Sequence, residues 1–149
     1  MTVKEKSQEQ LDLPFEHRVN DIQSMKDYVL AGNAKFTLKS QQTGKHLTFK
    51  VRRGKQKDVW WVNRLSDGYE YIGMIDRNGV FRWTTAVPLE LRSCEHFSVF
   101  SWFWAKINYG TLSGHLQFYH RGKCGKCGRD LTDPLSIKLG FGPGCRKKR

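Results

Sequence analysis

Apolar residues change their spacing several times along the chain, and each spacing predicts a different element. Between Asn20 and Gly32 the spacing is helical. Ile22, Met25 and Val29 share one face, Asn20 and Gln23 stand at capping-box spacing, and Gly32 supplies a stop. The period then drops to two. "AKFTLKS" and "HLTFKVR" alternate strictly on either side of "QQTGK", which reads as a hairpin loop. "DVWWVNRL", "YEYIGMID" and "VFRWTT" continue the series, divided by the turn signals "SDG" and "RNG". Helical spacing returns in "SCEHFSVFSWFWAKINYG", where Phe97, Phe100, Trp104 and Ile107 form a stripe between a candidate N-cap, Ser93, and a stop, Gly110. The expected fold class is α+β: an antiparallel β-meander of about five strands with a packed amphipathic helix, followed by a C-terminal zinc-knuckle module. The expected division is an N-terminal segment with a short helix (1–33), the sheet plus helix (34–112), and a zinc-binding module with a basic tail (113–149), hinged at "YGTLSG".

Strand alternation also sorts the first hairpin onto two faces. Phe36 and Leu38 share one face with Leu47, Phe49 and Val51, which leaves Lys35, Thr37, Lys39, Thr48, Lys50 and Arg52 on the other. Charge makes that second face notable. The chain carries a net charge of +12, and residues 34–57 hold eight Lys and Arg with no Asp or Glu. Residues 120–149 hold nine against two, while the remaining stretches are slightly acidic. Like charges on adjoining strands repel by about 0.2–1 kcal/mol per close pair, so such a face favours an anion laid over it. The candidate nucleic-acid contacts are Lys35, Lys39, Lys50, Arg52, Arg53, Lys55 and Lys57, together with the tail residues Arg146, Lys147, Lys148 and Arg149. The competing reading is a solvated face that serves solubility. Trp60, Trp61, Tyr69, Tyr71, Phe81 and Trp83 interleave with this region. Rings exposed on a sheet stack on the bases of DNA or RNA strands, although a meander under one helix needs most of its rings for the core.

The last thirty residues, "HRGKCGKCGRDLTDPLSIKLGFGPGCRKKR", contain three of the four cysteines. The spacing His120-x3-Cys124-x2-Cys127-x17-Cys145 offers three thiolates and an imidazole, a complete tetrahedral set for one structural Zn²⁺ ion, with His115 as the alternative fourth ligand. "LTDPLSIKLG" predicts one helical turn with Pro134 at its first position, capped by Thr132 or Asp133 and closed at Gly140. "GFGPGC" then returns Cys145 to the knuckle. No βαβ pattern surrounds the CxxC, which argues against a redox pair. The polar start "MTVKEKSQEQ" lacks a secretory leader, and "FSVFSWFWAKI" is too short to span a bilayer, so a cytoplasmic protein without membrane contact is expected. Cys94, at the head of the aromatic helix, reads as a packed thiol. A hydrolytic enzyme would need clustered acids or histidines. Glu16, His17, Asp58, Asp67, Asp76, Glu95 and His96 fall in no such spacing, which leaves nuclease activity as the nearest catalytic alternative to a non-catalytic protein.

"CGKCGRDLTDPLSIKLGFGPGC" resembles the small C-terminal zinc-finger module of many bacteriophage and prophage proteins, with the pattern C-G-x-C-G-R-x-L-T-x-P-x-S-I-x-x-G-x-G-P-x-C. Cys124, Gly125, Cys127, Gly128, Arg129 and Leu131 fit it, as do Thr132, Pro134, Ser136, Ile137, Gly140, Gly142, Pro143 and Cys145. The body, through "NAKFTLKS", "GKHLTFKV" and "YIGMI", resembles phage proteins that carry this module. The resemblance implies a phage-encoded zinc-binding protein of the host cytoplasm. Joined to the basic hairpin, it leads to an expected non-catalytic nucleic-acid-binding function. The alternative is a phage adaptor or inhibitor that grips a host or phage protein through its aromatic surface.

Overall fold

The strict alternation of the first hairpin is expressed in a computed structural model that describes residues 17–55, 58–112, 114–131 and 134–147. β2 (Asn33–Ser40) and β3 (His46–Arg53) pair antiparallel, with Phe36 opposite Phe49 and Lys35 opposite Lys50. β4 (Trp60–Leu65), β5 (Tyr69–Ile75) and β6 (Phe81–Arg82) follow as a meander. The β4–β5 register shifts between Val62 and Asn63. Gly73, opposite Val62, has no room for a side chain, since a Cβ there would lie 2.7 Å from the Phe81 ring.

The sheet has seven strands rather than about five. β1 (His17–Val19) and β7 (Leu116–His120) extend it beyond β2, giving the order β1-β7-β2-β3-β4-β5-β6. "YGTLSG" therefore leads into a strand that pairs with β1 on one side and β2 on the other, so the sheet takes in residues 116–120.

Two helices cover one face. α1 (Ile22–Val29) is capped by Asp21, whose carboxylate accepts from the Ser24 N–H at 2.9 Å, and not by the expected Asn20 and Gln23 pair. α2 (Glu95–Tyr109) begins at Cys94 in place of the expected Ser93, because the Cys94 sulfur accepts from the Phe97 N–H at 3.4 Å. It ends at Gly110, whose φ of 69° is the left-handed conformation a helix stop requires. Phe100, Phe103, Trp104 and Ile107 of α2 are buried against Phe36, Phe49 and Phe118 of the sheet. Phe36 stacks on Phe118 at 4.8 Å and on Phe49 at 5.7 Å, contacts worth about 0.5–1.5 kcal/mol each beyond the area they bury. Among the described residues no helix is long and apolar enough to cross a membrane. Among the described residues the opposite face of the sheet carries no helix, and Lys35, Lys50 and Arg52 of the basic hairpin lie there.

Candidate functional site

Cys124 and Cys127 sit in a tight loop after β7, and Cys145 lies in α4 (Pro143–Lys147), which follows α3 (Pro134–Leu139). The Cys124 N–H donates to the Arg129 carbonyl at 2.8 Å and the Gly128 N–H to the Cys124 carbonyl at 2.9 Å, while Lys123 pairs with Asp130 across the loop mouth. Gly128 reverses the chain at φ 80°. This folding brings the three sulfurs within 4.8 Å of one another, and all three cysteines are free thiols. Metal–sulfur bonds of about 2.3 Å in a tetrahedron set sulfurs roughly 3.8 Å apart, so the cluster fits a metal ion.

Backbone amides support that use. The N–H groups of Lys126, Cys127 and Gly142 point at the Cys124 sulfur from 3.4, 3.5 and 3.5 Å. Burial pushes the Cys124 thiol up, but the amides of Cys127, Gly142 and Lys126 outweigh it and bring the pKa down to about 7. Burial, hydrogen bonds to the Cys124 and Cys127 sulfurs and the charge on both push Cys145 up to about 11. Three thiolates at this separation repel one another, and a bound cation removes the repulsion.

His120 is placed elsewhere. It lies on the core face of β7, fully buried, with its ring stacked on His17 at 5.0 Å. Its Nδ1 accepts from the Gly122 N–H at 3.0 Å and its Nε2 hydrogen-bonds the Ile137 carbonyl, so both nitrogens are engaged away from the sulfurs. The group suited to a metal among the described residues consists of the three cysteines without His120. His115 is exposed just before β7, where its carbonyl accepts from the Gln41 N–H at 2.6 Å, and it is not in the cluster either. The His120 ring thus ties β7 to α3. Burial, opposed by the Ile137 carbonyl and reinforced by His17, lowers its pKa to about 4. An imidazole that protonates near 6.5 unfolded and near 4 folded costs nothing above 6.5. It withdraws up to about 3 kcal/mol of stability as the pH falls from 6.5 to 4. A proton NMR titration should show the His120 ring shifting with a midpoint near 4; a midpoint near 6.5 would contradict its buried, neutral role.

On the helix-free face the strand registers align side chains into rows across the sheet. One row runs from Arg121, whose N–H donates to the Lys35 carbonyl at 3.0 Å, through Lys35 and Lys50 to Asn63 and Tyr71. A neighbouring row carries Asn33, Arg52, Trp61, Met74 and Arg82. No strand residue on this face is acidic among the described residues. Desolvation, followed by the charges of Lys35 and Arg52, lowers the Lys50 pKa.

The structure narrows the expected basic face. Thr37 and Thr48 are buried, hydrogen-bonded to each other at 2.8 Å, and Lys39 stands beyond them beside His46. Arg53 is on the other side of the sheet, its guanidinium 5.4 Å from the Trp60 ring centroid and 4.0 Å from the Asp58 carboxylate. Lys55 is exposed just after β3. Arg146 and Lys147 lie in α4, and Lys57, Lys148, Arg149 and the acid candidate Glu16 lie outside the described residues. Arg121, the residue after β7, joins the patch unexpectedly, because its place in the cysteine-rich segment hid that its backbone bonds to Lys35 of β2. Of the acids considered for hydrolysis, Asp76 pairs with Arg82 at 3.5 Å and Glu95 with Lys45 at 2.9 Å.

No curated protein and no solved structure matches this chain. Residues 114–149, which contain β7 and the three clustered cysteines, match a family of unknown function, DUF6011.

Proposed function

We propose that this is a non-catalytic, phage-type nucleic-acid-binding protein, with the basic row on the helix-free sheet face as its contact surface. A structural zinc ion held by Cys124, Cys127 and Cys145 would complete its C-terminal module. The observation that carries the reading is the juxtaposition of Arg121, Lys35, Lys50 and Arg52 on a face with no acidic strand residue among those described. Phosphates spaced along a nucleic-acid backbone neutralise such a row, and they bind it without catalytic chemistry. The thiolate set suits a reducing cytoplasm, and the resemblance of the module supports a phage origin.

Charge reversal tests this. Lys50→Glu with Arg52→Glu should weaken binding to all nucleic-acid probes and flatten the salt dependence by roughly one unit of slope per lost phosphate contact. Mobility-shift titrations at several salt concentrations read both quantities. Unchanged affinity and slope would remove the basic face from the function. That result would favour the adaptor reading, which rests on the exposed Trp102 and Tyr109 of α2, because an aromatic protein interface responds little to salt.

A further inference from the structure

Beside the basic row stand two aromatic side chains outside the buried core. Trp61 and Tyr69 stand on the same face as Lys50 and Arg52, 40% and 39% exposed. Next to Trp61 an apolar recess of about 440 Å³ opens between Tyr71, Met74, Thr84 and Ala86. The recess is held in shape. Trp61 meets the Tyr71 ring edge-on at 5.7 Å, and the Tyr71 hydroxyl hydrogen-bonds the Thr84 hydroxyl at 3.0 Å. Gly54 backs the indole so closely that a Cβ there would lie 2.9 Å from its Nε1.

From this adjacency we infer that the protein binds single-stranded nucleic acid, with a base stacked on Trp61 in the recess while Lys35, Lys50 and Arg52 hold the backbone. The inference rests on the nucleic-acid reading above and specifies the form of its ligand. A duplex offers phosphates to the basic row but keeps its bases stacked inside, so it cannot fill the recess. An unpaired strand satisfies both, because phosphate and base alternate along it and neighbouring strands of the sheet are only about 4.8 Å apart. The Lys50 ammonium, 5.1 Å from the Tyr69 ring centroid, already joins the cationic and aromatic parts of the face.

Fluorescence anisotropy on the metal-loaded full chain, with three labelled probes of equal length, tests the inference. The probes are an oligothymidine strand, its abasic counterpart and a duplex. The wild type should prefer the strand with bases. Trp61→Ala should lower that affinity about 5- to 100-fold while leaving the abasic affinity and the salt slope unchanged, and Trp61→Phe should keep most of the binding. Lys50→Glu with Arg52→Glu should weaken all three probes. If Trp61→Ala has no effect while charge reversal does, or if the duplex is preferred, stacking is overturned and the basic-face reading stands. If no probe binds the wild type, the nucleic-acid reading itself falls.

Discussion

Replacing Cys127 by serine should abolish metal binding and unfold residues 121–147, with the strands β2 to β5 left intact. The module cannot hold itself. Among the described residues its buried apolar groups are few, chiefly Phe141 and the Cys124 side chain, and beyond the hydrogen bonds within its own loop it is tied to the body by bonds from Asn33 and Tyr28. Ionising the third sulfur without a cation is also unfavourable, as the upward push on the Cys145 thiol indicates. Structural zinc binding in comparable small modules is worth about 10–16 kcal/mol, far more than those contacts supply. Mass spectrometry should find one zinc per wild-type chain and none in the variant. Hydrogen exchange should locate the boundary: amides of 121–147 lose protection, and those of β7 retain it because β7 is hydrogen-bonded to β1 and β2. A metal-free chain with a fully protected module would overturn the metal's role. Loss of protection throughout 113–149 would contradict the placement of β7 in the sheet.

What could be read in the sequence depended on whether a pattern was local. The β2–β3 hairpin was legible because alternation sets both the buried face and its partner, and Phe36 opposite Phe49 follows. Gly110 ended α2 because a left-handed residue there is a local requirement. β7 was not legible. Gln117, Phe118, Tyr119 and His120 are all buried, so a strand enclosed on both faces shows no alternation. β1 is three residues long and its pairing spans most of the chain. The cysteine spacing correctly drew three sulfurs together, whereas the role of His120 was decided by Gly122, Ile137 and His17, contacts that no spacing encodes. Arg53 could have been placed correctly, since it shares the parity of Phe49 and Val51 and therefore belongs to the helix side.

Tyr28 is the next most sensitive position, because it joins the sheet, α1 and the cysteine module at one buried ring. Gly125 and Gly140 close over that ring, and a Cβ on either would lie 2.7 Å from it. Phe118, His120 and Phe141 surround it at 6.0, 5.6 and 6.0 Å. Its hydroxyl donates toward the carbonyls of Lys123 at 3.0 Å and Lys35 at 3.2 Å, and burial raises its pKa well above the ordinary phenol value, so the donor proton is kept. Tyr28→Ala should therefore cost about 3–5 kcal/mol, and Tyr28→Phe, which removes only the hydroxyl, about 1–2 kcal/mol. Metal content should stay at the wild-type level in both, because no sulfur is touched. Gly140→Ala supplies the independent check: it costs stability through the clash with Tyr28 and through its φ of 81°. In a Tyr28→Ala background the clash disappears and only the backbone strain remains, so the two substitutions should be strongly non-additive in denaturant unfolding. Additive costs, or a Tyr28→Ala penalty below about 1 kcal/mol, would mean that the module is seated by something other than this ring.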